Sequence, residues 1–248
     1  MRRAVVPVLL GALAACGRIG IDPLARDAEL PTSEALPDAD SRAGLIAHYS
    51  MDGDPPDGAR NAAGPDLHAV CGTQCPARGP GQIGLAATFG TDAYYVVPDS
   101  SRLALPAFTV ALWVRRAAGG GVTPVVKPQA AGTGASFELV TFGTRTTFCT
   151  DPDPGAGGEQ CLRGPPLPVG TWTFVAMSFD GGTKRLVIDG IEVARETGVT
   201  VYDASPLMIG ADRQDGVLGT SFSGSVDELR IYDRVLDDAA LSAVFALR

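Results

Sequence analysis

Phe108-Thr109-Val110-Ala111-Leu112-Trp113-Val114-Arg115 is the stretch that decides the fold class. In an extended chain Phe108, Val110, Leu112 and Val114 point one way and Thr109, Ala111, Trp113 and Arg115 the other, since successive strand side chains alternate between faces. One wholly apolar face marks a strand laid on a core. Similar segments occur at Leu45–Met51, Ala86–Phe89, Tyr94–Val97, Ser136–Phe142, Thr171–Phe179, Arg185–Ile188, Ile191–Arg195, Leu207–Ile209 and Ser225–Tyr232. Asp180-Gly181-Gly182 and Asp189-Gly190 between them are hairpin signals, because glycine accepts the positive φ of tight turns. The 31 Gly and 19 Pro suit many strands joined by such turns and argue against a helical bundle. Only Val235–Leu241 reads as a short helix, with Asp237 or Asp238 near its N-terminus to complement the dipole.

The opening of the chain is an address rather than structure. Arg2 and Arg3 precede an apolar run over residues 4–14, too short for the roughly 20 residues of a membrane span, so residues 1–15 are expected to be a signal peptide. Leu13-Ala14-Ala15-Cys16 resembles the bacterial lipobox, which makes Cys16 the expected lipidation site and membrane anchor. Gly17 lacks the aspartate tied to inner-membrane retention, which favours the outer membrane if the cell is diderm. Residues 16–42, rich in Pro, Ala and Asp, are expected to form a disordered tether. The folded domain is placed at residues 43–248. Cys71, Cys75, Cys149 and Cys161 remain, an even number in an oxidising compartment, and three disulfide connectivities are possible, of which the two sequence-local ones are favoured. The formal net charge of -8 excludes a nucleic-acid partner, because phosphate contacts need clustered basic residues.

Four stretches, taken in order, resemble the laminin G-like domains of the concanavalin A-like lectin and glucanase superfamily. They are Gly44–Gly53, Ala87–Pro98 running into Phe108–Val114, Trp172–Gly181 with Leu186–Gly190, and Phe222–Tyr232. The resemblance implies an all-β, two-sheet antiparallel jelly-roll sandwich whose apolar faces pack about 10 Å apart. Fold alone does not set function, since the same architecture carries lectins, spacers and hydrolases.

Relatives hold a structural calcium between an early acidic loop and the closing strand. The corresponding residues here are Asp52, Asp54, Asp57, Asn61 and Asp227, and the competing reading of the loop is a plain acidic turn. The superfamily's glucanases use a Glu-x-Asp-x-x-Glu signature that no segment contains. Glu192 and Glu196 lie about 13 Å apart along a strand, too far for a catalytic pair. His48 and His68 read as structural, and no nucleophile elbow or phosphate loop is present. No catalytic residue is therefore expected. A sugar platform, if there is one, falls to Tyr94, Tyr95 and Tyr202 near turns, while Trp113 and Trp172 read as core. The expected function is a membrane-anchored, non-catalytic recognition module for a carbohydrate or cell-surface protein. A spacer domain is the alternative, and a hydrolase ranks third.

Overall fold

The computed structural model describes residues 41–247 apart from positions 55, 154, 156 and 157. The expected signal peptide, Cys16 and almost all of the tether lie outside the described residues. In chain order the strands are β1 (Leu45–Tyr49), β2 (Gly58–Ala59), β3 (Ala69–Cys71), β4 (Ala77–Pro80), β5 (Leu85–Phe89), β6 (Tyr95–Val97), β7 (Phe108–Arg116), β8 (Val125–Pro128) and β9 (Ala135–Thr141). They continue with β10 (Thr146–Thr150), β11 (Gln160–Gly164), β12 (Trp172–Phe179), β13 (Thr183–Ile188), β14 (Ile191–Thr197), β15 (Leu207–Ile209), β16 (Ala211–Gln214), β17 (Val217–Ser221) and β18 (Gly224–Tyr232), and the helix α1 (Asp238–Ala246) follows.

Two antiparallel sheets form the sandwich. The first runs β14-β13-β12-β7-β18-β5-β4, with β1 also paired to β18; the second runs β11-β10-β9-β8-β15-β6-β3-β2. The hairpin β16–β17 stands apart as a two-stranded sheet. Register follows the side-chain alternation. Phe108, Val110, Leu112 and Val114 are fully buried between the sheets, where Phe108 meets Phe137, Phe148 and Phe179 at ring-centroid distances of 4.9, 6.1 and 5.9 Å. The expected turns form: Asp189 and Gly190, both at positive φ, join β13 to β14, and the Asp180 carboxylate accepts from the N–H groups of Gly182 and Thr183 between β12 and β13.

The outer side of β7 is buried too. Ala111 and Trp113 join Phe174, Ala176, Val187 and Tyr232 in a second cluster that Leu236, Ala240, Leu241 and Val244 cover. α1 begins at Asp238, three residues later than the sequence pattern suggests, because Asp237 is its N-cap and accepts from the Ala240 N–H at 2.8 Å. Val235 and Leu236 lead into the helix rather than forming its first turn.

The disulfides are the two local ones, Cys71–Cys75 and Cys149–Cys161. The second joins directly opposed residues of β10 and β11, consecutive antiparallel strands, so it staples a hairpin at the edge of the second sheet. The chain's only lysines, Lys127 and Lys184, are fully buried. The ammonium of Lys127 meets Asp99 Oδ1 at 2.9 Å and the carbonyls of Asp203 and Ser205, which offsets the cost of removing a charge from water.

Candidate functional site

The outer face of the second sheet is open where the first is covered. Alternation puts Glu138 of β9, Thr147 and Cys149 of β10, and Cys161 and Arg163 of β11 on this side, while Phe137, Leu139, Phe148 and Leu162 face the core. Glu138 lies opposite Cys149, and Cys149 opposite Cys161, so the disulfide forms part of the floor. The β16–β17 hairpin brings Asp212, Gln214 and Thr220 to the same place, giving a cleft of about 370 Å³. Phe142 and Arg145, stacked with the guanidinium carbon 5.2 Å from the ring centroid, stand at one end.

The cleft's carboxyl groups have no cationic partner within ion-pair distance among the described residues. Burial, reinforced by repulsion from Asp212, pushes the Glu138 carboxyl up to about 8, although the Thr123 hydroxyl donates to its Oε1 at 2.9 Å. It is mostly protonated at neutral pH and can donate a hydrogen bond. Burial also raises Asp212, whose oxygens accept from the Arg213 N–H and the Gln214 amide. Glu159, exposed at the rim, is raised by partial desolvation and then by the Asp151 and Asp212 charges. Thr147 is 3% exposed and its hydroxyl has no protein partner. An unsatisfied buried hydroxyl costs on the order of 1–3 kcal/mol, a cost that a polar ligand relieves. Carboxyl, hydroxyl, amide and guanidinium groups on one concave surface match a polyhydroxylated molecule, which needs both donors and acceptors.

The five expected calcium ligands separate. Asn61 is buried with all four hydrogen-bonding positions taken: Oδ1 accepts from the N–H groups of His48 and Ala63, and Nδ2 donates to the carbonyls of Ile46 and Asp66. It is a structural bracket and is unavailable to a cation. Asp54 accepts from the Arg60 N–H and pairs with Arg78 at 3.1 Å, and Asp57 lies exposed on the loop. No three of these carboxylates converge among the described residues.

Asp52 and Asp227 share one feature, the turn Gly81–Leu85. Asp52 Oδ1 accepts from Leu85 N at 2.7 Å and Asp227 Oδ2 from Ile83 N at 2.9 Å. A Cβ on Gly84, at φ +55, would sit 2.3 Å from Asp52 Oδ1, and one on Gly81 would sit 2.6 Å from Asp227 Oδ2, so the approach requires glycine at both positions. Asp227 is fully buried, its Oδ1 has no partner, and burial pushes its carboxyl up to about 7. A hard cation suits that orphaned oxygen. Of the five expected ligands, Asp52 and Asp227 are the two that meet at this turn.

The tyrosine platform is not formed. Tyr95 is 1% exposed and faces the inter-sheet core, edge-on to Phe89 at 6.0 Å. Tyr94 is buried in a satellite cluster with Val126 and Met208, its ring covering Gly72. Tyr202 is half-buried and donates to the Leu105 carbonyl at 2.8 Å. Strand register turns consecutive residues to opposite faces, so nearness to a turn does not bring these rings together.

The Laminin_G_3 family model of the concanavalin A-like lectin/glucanases superfamily matches residues 89–242. The chain belongs to this superfamily. Solved structures similar to this concanavalin A-like chain include the binding domain of Paraclostridial Mosquitocidal Protein 1, at 12% identity and TM-score 0.65 over 83% of this chain and 52% of that one. Domain 4 of AbnA, an extracellular arabinanase from Geobacillus stearothermophilus, in complex with arabinotriose, is similar at 22% identity and TM-score 0.57, covering 82% of this chain and 98% of that one. The binding domain of botulinum neurotoxin DC in complex with SialylT is similar at 13% identity and TM-score 0.61, covering 82% and 50%. The chain thus spans about half the length of the toxin binding domains it matches. No curated protein sequence matches.

Within this concanavalin A-like frame, the residues sharing the outer face of β9 with Glu138 are Ser136 and Val140, so β9 lines up no second carboxylate along its length. Glu192 is held by Arg185 and Arg195 at 2.6 and 2.8 Å, and these contacts lower its carboxyl to about 2. His48 is structural, bonded through Nε2 to Glu228 at 2.8 Å. Glu138, Thr147 and Asp212 are the residues sequence reasoning missed. A glutamate within the apolar-alternating Ser136–Phe142 was the available signal, but nothing in the sequence ties it to Asp212.

Proposed function

We propose that the chain is a lipid-anchored, non-catalytic recognition module that binds a carbohydrate in the Glu138–Thr147–Asp212 cleft. The observation that carries this reading is the buried, unpartnered Thr147 hydroxyl beside a largely protonated Glu138 on a concave surface. Sugar hydroxyls, which both donate and accept, satisfy such groups. The reading gains support from relatives of the same fold whose structures hold arabinotriose and SialylT. Calcium, in this proposal, is structural: it binds Asp52 and Asp227 where they grip the Gly81–Leu85 turn, and it keeps the Asp227 carboxylate ionised. Cys16 carries the lipid, and residues 17–42 hold the module away from the bilayer of the cell envelope.

Titration with a panel of neutral oligosaccharides, arabinotriose among them, tests the reading with and without calcium. Binding that falls about ten-fold or more in Thr147→Val and Glu138→Ala is expected, with no reducing-sugar release. Absence of binding across the panel, or binding indifferent to both variants, overturns it. Detergent phase partitioning of the wild type against Cys16→Ser checks the anchor, and a calcium-dependent rise in Tm that Asp227→Asn abolishes checks the metal.

A further inference from the structure

The first sheet carries a second polar groove on its outer side, beyond the part that α1 covers. Strand register sets Thr88 of β5, Ser225 of β18, Arg115 of β7 and Trp172 of β12 in one continuous cross-strand row. The Arg115 guanidinium carbon lies 4.8 Å from the Trp172 ring centroid. Its Nη2 donates to Ser225 Oγ at 3.4 Å, and Ser225 Oγ lies 3.1 Å from Thr88 Oγ1. Stacking on an indole fixes the plane of a guanidinium and leaves its other N–H groups pointing outward along the edges.

No carboxylate completes the row. Arg115 makes no ion pair among the described residues, although the chain has 28 acidic against 20 basic residues. The groove has a volume of about 520 Å³ and is lined by Thr88, Arg115, Arg116, Gly170, Ser223 and Ser225 among others, none of them acidic. Asp227, the next outward residue on β18, is fully buried beneath the Gly81–Leu85 turn and does not reach the groove.

We propose that this groove binds an acidic saccharide, with the carboxylate or sulfate on the edge of the Arg115 guanidinium and ring hydroxyls on Thr88, Ser223 and Ser225. A planar fork of N–H donors matches either anion through paired charge-assisted hydrogen bonds, which an ammonium cannot reproduce. The hydroxyl row and a volume within the range of small-ligand pockets separate a sugar from a bare ion. The site lies on the opposite sheet from the Glu138 cleft and does not depend on it.

The test is calorimetric titration of the full chain at physiological salt with an oligogalacturonate, a sulfated oligosaccharide, an uncharged oligosaccharide of equal length and inorganic sulfate. One or both acidic oligosaccharides should bind in the sub-millimolar range, and which one identifies the acid group. Affinity should fall about ten-fold or more in Arg115→Gln and substantially in Arg115→Lys, which keeps the charge and loses the fork. Arg102→Gln, at an exposed ion pair elsewhere, should change nothing, and Tm should match the wild type in each variant used. Equal binding of the uncharged oligosaccharide, full competition by equimolar inorganic sulfate, or unchanged affinity in Arg115→Gln with its fold intact would each overturn the proposal. Failure here with sugar binding intact in the Glu138 cleft removes this second site alone.

Discussion

The two sheets bury similar inner faces and treat their outer faces in opposite ways. On the first, α1 packs over Trp113 and Phe174, and Phe245 stacks on Trp113 at 5.6 Å, so the middle of β7 is core on both sides. On the second, no helix lies over β9–β11 among the described residues, and the space holds carboxyl groups, hydroxyls and a disulfide. Covering a face stabilises it through apolar burial at roughly 25 cal/mol per Å². Leaving a face concave and polar forgoes that stabilisation and keeps groups free to meet a ligand. Polar residues on a sheet's outer side are unremarkable when water reaches them; Thr147 differs because it is buried with no partner for its hydroxyl, and Glu138 because it is buried with a hydroxyl partner but no cation.

The largest test of this contrast is Trp113→Ala, which removes the centre of the covered face and should cost about 3–5 kcal/mol by urea denaturation; a loss under about 1 kcal/mol would mean that α1 contributes little. Glu138→Gln probes the open face with the opposite sign. Its carboxyl is at about 8 in the folded protein against 4.5 as the ordinary value, so the fold retains a proton that the unfolded chain releases. Stability therefore falls as pH rises from about 4.5 to about 8, and the glutamine variant should flatten that slope and gain on the order of 2 kcal/mol at pH 9. Asp227→Asn should act in the same direction over the window from 3.8 to about 7, by about 1–2 kcal/mol without calcium. If calcium binds Asp227, the wild type alone should regain that difference on adding it. The smallest effect is expected at Glu192→Gln, a partly exposed ion-pair residue of the β14 edge: its carboxyl lies at about 2, its stabilisation is present above about 4.5 and fades as pH falls, and solvent screening limits the change to about 0.5 kcal/mol.

The same contrast governs what was legible in the sequence. Strands with one apolar side, such as Phe108–Val114 and Trp172–Phe179, announce themselves because burial is one-sided and period two is clean. Thr146-Thr147-Phe148-Cys149-Thr150 does not: Thr146 and Thr150 are buried on the inner side and Thr147 on the outer, so hydroxyls occupy both faces and the pattern vanishes. The cleft was hidden for a related reason. Glu138 in an alternating strand looks solvent-facing until the β16–β17 hairpin sets Asp212 beside it, a contact across more than 70 positions. Asn61 misled in the other direction, since proximity to Asp52, Asp54 and Asp57 suggests a shared ion, whereas its amide is consumed by backbone groups of its own loop and of β1. Tyr95 shows the limit of arguing from turns, because a one-residue change of register decides between surface and core.

The burial of Lys127 and Lys184 has a practical corollary. With both ε-amines sealed inside, acylating reagents find no lysine to modify among the described residues of the folded domain, and the permanent positive charges on its described surface are guanidinium groups. Opening of the sandwich exposes two nucleophilic amines at once, so the rate of their acetylation, followed by mass, becomes a clock for unfolding that needs no engineered probe.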